Sequence, residues 1–249
     1  MRLITIPISH YVEKARWALD RSGLPYTEEG HAQLMHWRAT RPLGSKTVPV
    51  LVDGATVLTD STAILHYVDA RTPEPLRLYP PEPGLRQQVQ DLEEQFDVKL
   101  GPHTRRLGYY TLFPLGRKLV EPLRGKVPAW ELQAFWLGFD VGKALIGRGL
   151  NITADKAAES HQRIVAQFDA VAQRLAGRPY LVGDRFSAAD LTFAALAGPL
   201  LDVPEHPVPL IALAQTPMPF RVIVGELRAH PAGQYALALY AKHRRQAEG

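Results

Sequence analysis

The sequence predicts an α/β domain followed by an all-helical domain. Residues 1–70 switch repeatedly between β-rich and helix-like patterns, which is typical of an α/β domain. Residues 72–84 then contain five prolines and little periodicity, as interdomain linkers do. From Leu85 onward, helix-like segments are separated by Pro or Gly and no β alternation returns. We therefore expect domains over 1–78 and 87–249, joined by a linker over 79–86.

The elements of the first domain follow from local patterns and breakers. Gly23 and Pro25 end the first helical pattern, and Asp53-Gly54 is a tight turn that joins two short strands. A further helix begins at Asp60, because the apolar residues after it share one helical face. The predicted order is a strand over 3–6, a helix over 11–22, a strand over 25–29, an excursion, strands over 48–52 and 56–58, and a helix from residue 60.

Three helices of the second domain have clear signals. Apolar residues recur on one stripe of residues 154–175, and such a stripe is far more often core than a ligand site. Ser187 and Asp190 are spaced as a capping box, with Phe186 and Leu191 spaced as a hydrophobic staple. A long helix is expected over about 85–108.

Composition excludes several classes of protein. The chain has 46% hydrophobic and 22% charged residues, as soluble globular proteins do. It has no cysteine, which excludes disulfides, thiolate metal sites and redox chemistry by a protein thiol. The nine histidines show no metal-binding spacing, so no metal is expected. No apolar run reaches the roughly 20 residues of a membrane span, and the opening residues do not resemble a signal peptide. We expect a cytoplasmic protein.

The net charge of +4 comes from basic residues that are mixed with 25 acidic ones along the chain. The densest basic cluster is at the C-terminal end, over 242–245, where a solvated tail is the simplest interpretation. Nucleic acid is therefore not an expected partner.

Three positions in the first domain could carry chemistry, and each has a structural alternative. Ser9 precedes a helix, where its hydroxyl either caps the helix or meets an anion. Pro49 opens a strand either at a sheet edge or after a cis Val48-Pro49 bond, which would leave the main chain of Val48 free for a peptide-like ligand. Asp60 and Ser61 either cap a helix or bind an α-amino acid group.

Taken together, these segments resemble the glutathione transferases. The segment 9–19, SHYVEKARWAL, is similar to the family segment in which a Ser, Cys or Tyr precedes a helix. Val48-Pro49 matches the family's cis-proline, and residues 60–64, DSTAI, match its acidic-Ser-x-Ala-Ile segment. The resemblance extends to residues 180–191 and implies a thioredoxin-like first domain, β-α-β-α-β-β-α, with an all-α second domain.

The resemblance also implies roles for individual residues. Glutathione would be the co-substrate, with its sulfur at Ser9 and the cysteinyl main chain at Val48. Asp60 and Ser61 would hold the γ-glutamyl end. Tyr11 offers a second hydroxyl near the sulfur, and Lys46, followed by Thr47 where many relatives have Lys or Gln, would reach the glycyl carboxylate.

The second substrate is expected to be a small, hydrophobic electrophile. Tyr109, Tyr110 and Phe113 are the expected pocket residues, with Arg105 and Arg106 as weaker candidates. Two alternatives share this fold: a non-catalytic glutathione-binding or scaffolding protein, and a glutathione-dependent isomerase, dehalogenase or peroxidase. A homodimer is expected from the resemblance.

Overall fold

The protein is described from a computed structural model that covers residues 1–208 and 210–244. The strands are β1 (Arg2–Thr5), β2 (Thr27–Gly30), β3 (Val50–Asp53) and β4 (Thr56–Leu58). The α-helices are α1 (His10–Ser22), α2 (Trp37–Thr40), α3 (Ser61–Asp69), α4 (Pro83–Lys99), α5 (Gly101–Leu112), α6 (Ala129–Leu137), α7 (Phe139–Gly149), α8 (Ala154–Leu175), α9 (Ala188–Ala197), α10 (Met218–Ala229) and α11 (Pro231–His243). Short 3-10 helices connect several of them, and the segment Phe113–Leu123 consists of two such helices separated by a kink at Gly116, where φ is 59° and ψ is −136°.

The first domain has the predicted order of elements. Its strands form one mixed sheet in the order β2-β1-β3-β4, in which β1 and β2 are parallel and the other pairs are antiparallel. Such a parallel pair needs a crossover, and α1 provides it. Leu3 and Leu51 are paired across β1 and β3 and are fully buried against α1 and α3. The thioredoxin-like arrangement is thus confirmed.

The second domain contains helices and no strand among its described residues, as predicted. Helix α9 lies at its centre, and every residue of this helix is buried. Ser187 and Asp190 form the predicted capping box, and the carboxylate of Asp190 also accepts from Leu181 N and from the Tyr235 hydroxyl. The predicted stripe on α8 is core, since Ile164 and Phe168 are fully buried.

The prediction of a single long helix over 85–108 is wrong. The chain instead forms α4 and α5, which meet at Leu100, where φ is −113° and ψ is −56°. Pro102 explains the break, because proline has no N–H to donate and its ring clashes with the preceding turn. The break leaves the last carbonyl groups of α4 without partners inside the helix.

The interpretation of the C-terminal basic cluster as a solvated tail is wrong for Arg244, whereas Lys242 is exposed. Arg244 is only 6% exposed, and its guanidinium binds Glu13 Oε1 at 2.7 Å and Asp20 Oδ2 at 2.8 Å. His243 stacks on Phe186 with ring centroids 4.3 Å apart. Two carboxylates on α1 therefore draw this end of the chain into the fold, while Arg245 lies outside the described residues.

None of the helices in the described part of the chain combines the length and the apolar character that crossing a membrane requires.

Candidate functional site

Three chain segments with candidate residues meet at one edge of the sheet. Ile4 pairs with Val50, so the end of β1 and the start of β3 lie side by side. Leu58 pairs with Leu51, which brings the end of β4 to the same edge. The loop to Ser9, the Val48-Pro49 segment and the start of α3 therefore leave the sheet together, and α1 packs against α3.

Ser9 is the N-cap residue of α1, with extended backbone angles of −76° and 127°. Its main-chain N–H donates to Ile6 O and its carbonyl accepts from Glu13 N, both at 2.9 Å. In contrast to most serines at this position, its side chain makes no capping hydrogen bond within the described residues. The half-buried hydroxyl thus lies beside the free N–H groups of a helix N-terminus, which favour an anion.

The peptide bond between Val48 and Pro49 is cis, which was one of the two alternatives for this proline. Pro49 is buried and Val48 is half-buried. Among the described residues the main-chain N–H and C=O of Val48 have no hydrogen-bond partner. Extended main chain of this kind can pair with a peptide-like ligand.

Two aromatic residues that sequence analysis did not place in the site hold the loop before Pro49. Trp37 Nε1 donates to the main-chain oxygen of Lys46 at 3.0 Å, and His36 Nε2 donates to the same atom at 3.2 Å. The Lys46 side chain is left exposed. The two ring N–H donors between β2 and β3 could have indicated this role, because a main-chain carbonyl in a loop needs hydrogen-bond donors.

Asp60 and Ser61 open α3. Asp60 is exposed and caps the helix, with Oδ1 accepting from Ala63 N at 3.0 Å. Ser61 is buried. The cap uses one carboxylate oxygen, so the charge of Asp60 remains available at the helix N-terminus.

Tyr11 points to the second domain. Its hydroxyl donates to the main-chain oxygen of Asp97 at 2.7 Å. Burial, with the added charge of Asp97, raises the pKa of Tyr11 well above its usual range. Gly101 makes this approach possible, because a Cβ at that position would lie 2.3 Å from the Tyr11 hydroxyl oxygen. Its binding of glutathione stays a prediction.

A buried ion cluster fixes α1 against the second domain. Lys14 is fully buried and pairs with Glu93 at 2.9 Å and with Asp97 at 2.6 Å. It also donates to Thr62 Oγ1 on α3 at 2.9 Å. Sequence analysis did not find this cluster, because its members are far apart along the chain. It positions α1 and α3, and with them Ser9 and Asp60.

The start of helix α5 contacts the residues that follow Ser9. His10 Nε2 donates to Gly101 O at 3.1 Å, and burial with the nearby charge of Arg105 lowers the pKa of His10 to about 3. Burial raises the pKa of Tyr109, and a hydrogen bond from Gln33 of the first domain opposes that shift. Tyr109 and Phe113 contact each other, with ring centroids 5.3 Å apart.

The remaining pocket candidates differ in their exposure and in their contacts. Tyr110 is 41% exposed. Arg106 turns away, because its guanidinium binds Leu150 O at 3.0 Å and Ser160 Oγ at 3.1 Å. Arg105 instead lies close enough to His10 and Tyr11 for its charge to act on the pKa values of both.

Two family models match the chain and together span more than half of it. Residues 3–76 match the glutathione S-transferase N-terminal domain, and residues 154–220 match the C-terminal domain of the same family. The chain belongs to the glutathione S-transferase family. The family segments named above lie within these two matches, whereas α4 to α7 lie between them.

Solved glutathione S-transferase structures share this fold. A possible glutathione S-transferase from Rhodopseudomonas palustris has 15% identity and a TM-score of 0.59, with 97% of this chain and 93% of that chain covered. The theta class enzyme of Xanthomonas axonopodis pv. citri with glutathione bound has 21% identity and a TM-score of 0.57, with 100% and 98% covered. A Methylobacterium radiotolerans glutathione S-transferase in complex with glutathione sulfonate has 22% identity and a TM-score of 0.55, with 100% and 96% covered. No curated protein matches the chain.

Proposed function

We propose that this protein is a glutathione transferase in which Ser9 stabilises the glutathione thiolate for attack on a small electrophile. The observation that carries the proposal is the Ser9 hydroxyl, which lies at the N-terminus of α1 without a capping partner in the described residues. The cis Val48-Pro49 segment leaves the sheet at the same edge. Two of the similar structures were determined with a ligand of this kind, one with glutathione and one with glutathione sulfonate bound.

Ser9 does not need to act as a nucleophile or a base. A free thiol has a pKa near 8.5, and lowering it to about 6.5 requires about 2.7 kcal/mol of preference for the thiolate. A charge-assisted hydrogen bond contributes about 1.5–3 kcal/mol and a helix N-terminus about 0.3–1 kcal/mol. Together they reach the required value. The thiol proton is released to solvent, and the sulfur is the attacking atom.

The other groups would bind the ends of the tripeptide. The free main-chain N–H and C=O of Val48 would pair with the cysteinyl residue, as an added strand does. Asp60 would bind the γ-glutamyl amine, and Ser61 the carboxylate at that end. The exposed ammonium of Lys46 would bind the glycyl carboxylate.

The second substrate would lie between Ser9 and α5, in contact with Tyr109, Tyr110 and Phe113. These aromatic side chains suit an electrophile that is mostly hydrophobic. A role in detoxification and a homodimer belong to the same proposal. Reduced glutathione is part of the thiol buffer of the cytosol, so a cytoplasmic location suits the reaction.

Calorimetric titration with reduced glutathione tests the proposal at its first step, and we expect binding in the micromolar to low-millimolar range. Asp60→Asn removes the charge but keeps a side chain that caps helices well, so it should weaken binding without unfolding α3. Asp155→Asn is the matched control, since Asp155 is an exposed aspartate in the first turn of α8.

Turnover with a generic electrophile, followed by absorbance, separates catalysis from binding alone. Binding together with turnover supports the transferase. Binding without turnover of electrophiles, peroxides or haloalkanes would favour the non-catalytic alternative. No binding would contradict the proposal and leave only the fold.

A further inference from the structure

One face of α5 contacts the first domain along its length. Gly101 accepts from His10 and adjoins Tyr11 at the start of the helix. Tyr109, two helical turns later, interacts with Gln33. Arg105 lies between them at i+4 from Gly101, so all three residues share one face of the helix. The Arg105 side chain therefore extends along the boundary between the domains, next to the loop that carries Ser9.

Within residues 1–208 and 210–244, the Arg105 guanidinium has no hydrogen-bond or ion-pair partner. Its Nε is buried and makes no hydrogen bond with the described part of the chain. No carboxylate of the described residues lies within 4.0 Å of it, and it stacks on none of their rings. The adjacent Arg106 has the same chemistry but is satisfied by two hydrogen bonds in the packing of α5. A half-buried cation with an unsatisfied donor is costly unless a ligand pairs with it.

The described groups around Arg105 do not supply a compensating anion. His10 has a pKa of about 3 and is therefore neutral at physiological pH. The Tyr11 hydroxyl is bound to Asp97 O, and the carboxylate of Asp97 is paired with Lys14. Asp60 is exposed and does not form an ion pair with Arg105 within 4.0 Å.

We propose that Arg105 binds a carboxylate of the second substrate, so that the enzyme prefers aromatic electrophiles that carry one. The planar N–H fork of arginine matches a carboxylate in a bidentate manner, and Tyr109 one turn further along α5 provides an aromatic surface for the ring. This inference rests on the proposed function. It adds a specificity determinant to the hydrophobic pocket.

A pair of nearly isosteric probes isolates the carboxylate. In 4-chloro-3,5-dinitrobenzoate and 4-chloro-3,5-dinitrobenzamide, the glutathione sulfur forms a C–S bond at the carbon that carries chlorine. The C–Cl bond breaks, chloride leaves with the bonding electrons, and the thiol proton goes to solvent. Rates divided by the uncatalysed rate for each probe correct for their different intrinsic reactivity.

We expect the native enzyme to have a higher corrected kcat/KM for the benzoate than for the benzamide. Arg105→Gln should lower kcat/KM for the benzoate at least tenfold more than for the benzamide, which is the scale of one lost hydrogen-bonded contact to a charged group. Arg105→Lys keeps the charge but loses the fork, so its loss should be intermediate. Arg148→Gln removes the same charge from an exposed position on α7 and should leave the preference intact.

Equal losses for the two probes would overturn the proposal, and a raised pKa of the bound thiol would then assign Arg105 to the thiolate. A lost affinity for glutathione itself, measured by calorimetry, would also overturn it and would assign Arg105 to a carboxylate of the tripeptide. Thermal unfolding of each variant checks the fold, and Arg105→Lys replaces Arg105→Gln if the latter does not fold.

Binding of the two S-conjugates by calorimetry tests the inference without turnover. We expect the carboxylate conjugate to bind the native enzyme more tightly than the amide conjugate, and Arg105→Gln to remove the difference. If the native enzyme binds glutathione but shows no preference, the inference fails while the proposed function stands. If it binds neither glutathione nor the conjugates, the proposed function fails.

Discussion

The Tyr11 hydroxyl donates to the main-chain oxygen of Asp97 across the boundary between the two domains, at 2.7 Å. Asp97 is near the end of α4, where carbonyl groups have no partner within the helix. The break at Leu100 therefore creates an unsatisfied acceptor, and Tyr11 satisfies it. This contact holds the Tyr11 hydroxyl at the domain boundary. It therefore favours Ser9 as the group at the sulfur.

Replacing Tyr11 with Phe tests whether Tyr11 acts at the domain boundary while Ser9 acts at the sulfur. The variant loses the bond to Asp97 O, so we expect the free energy of unfolding to fall by about 1–3 kcal/mol, as for a buried acceptor left unsatisfied. Turnover should fall less than in Ser9→Ala, because Ser9, the proposed group at the sulfur, is retained. Urea unfolding and steady-state kinetics measure the two effects. A large loss of turnover at unchanged stability would assign the sulfur to Tyr11.

Gly101→Ala should destabilise the protein through the same contact. The new Cβ would lie 2.3 Å from the Tyr11 hydroxyl oxygen and 2.7 Å from Cζ, so the two elements must move apart. We expect a cost of about 1–3 kcal/mol, as for overpacked cores, measured by urea unfolding.

Gly147→Ala is the matched control within a helix. A Cβ at Gly147 would meet nothing within 4 Å. Alanine is the better helix former, so this variant should be neutral or slightly stabilising. Equal destabilisation by both substitutions would show that the approach of Tyr11 to Gly101 is not responsible.

Glu13 should make the folded protein sensitive to acid. It is fully buried, and burial would raise its pKa, but His206, Arg244 and Arg16 outweigh burial and lower the pKa below its usual value of 4.5. A lowered carboxyl pKa contributes stability that is fully present above about pH 4.5 and is lost as the pH falls through the lowered pKa. Urea midpoints between pH 3 and 7 should therefore fall more steeply below pH 4.5 in the native protein than in Glu13→Gln.

The same variant should be less stable at neutral pH, by up to about 3–5 kcal/mol, because the cations on Glu13 lose one partner. Glu159→Gln is the control, since Glu159 pairs with Lys156 and Arg163 on an exposed helix face and solvent screens such pairs. If the urea midpoints of the native protein and of Glu13→Gln fall equally steeply at acid pH, the role assigned to Glu13 is contradicted.

Local signals predicted most of the fold. The capping box at Ser187 and the order of elements along the first domain follow from short-range patterns, and both were confirmed. The break at Leu100 was missed, although Pro102 is visible in the sequence, because apolar periodicity continues on both sides of it. The burial of Arg244 depends on carboxylates of α1 more than two hundred residues earlier, which no local pattern encodes.

The sequence predicted the candidate site residues, but it did not predict the groups that hold them in place. Ser9, Pro49 and Asp60 lie at the starts of elements, where the sequence marks them. The groups that position them are distant in sequence: Lys14 meets Glu93 and Asp97 across the domains, and the unpartnered Arg105 is evident only once α5 is placed.

The pKa of bound glutathione tests the central claim most directly. Ultraviolet difference spectra of the protein with glutathione, titrated from pH 5 to 10, measure the thiolate in the native protein and in Ser9→Ala. We expect the native complex to have a thiol pKa about 2 units below the free value near 8.5. Ser9→Ala should raise it by at least about 1 unit and lower turnover at least about tenfold, with little change in glutathione affinity. An unchanged thiol pKa and full turnover in Ser9→Ala would contradict the account.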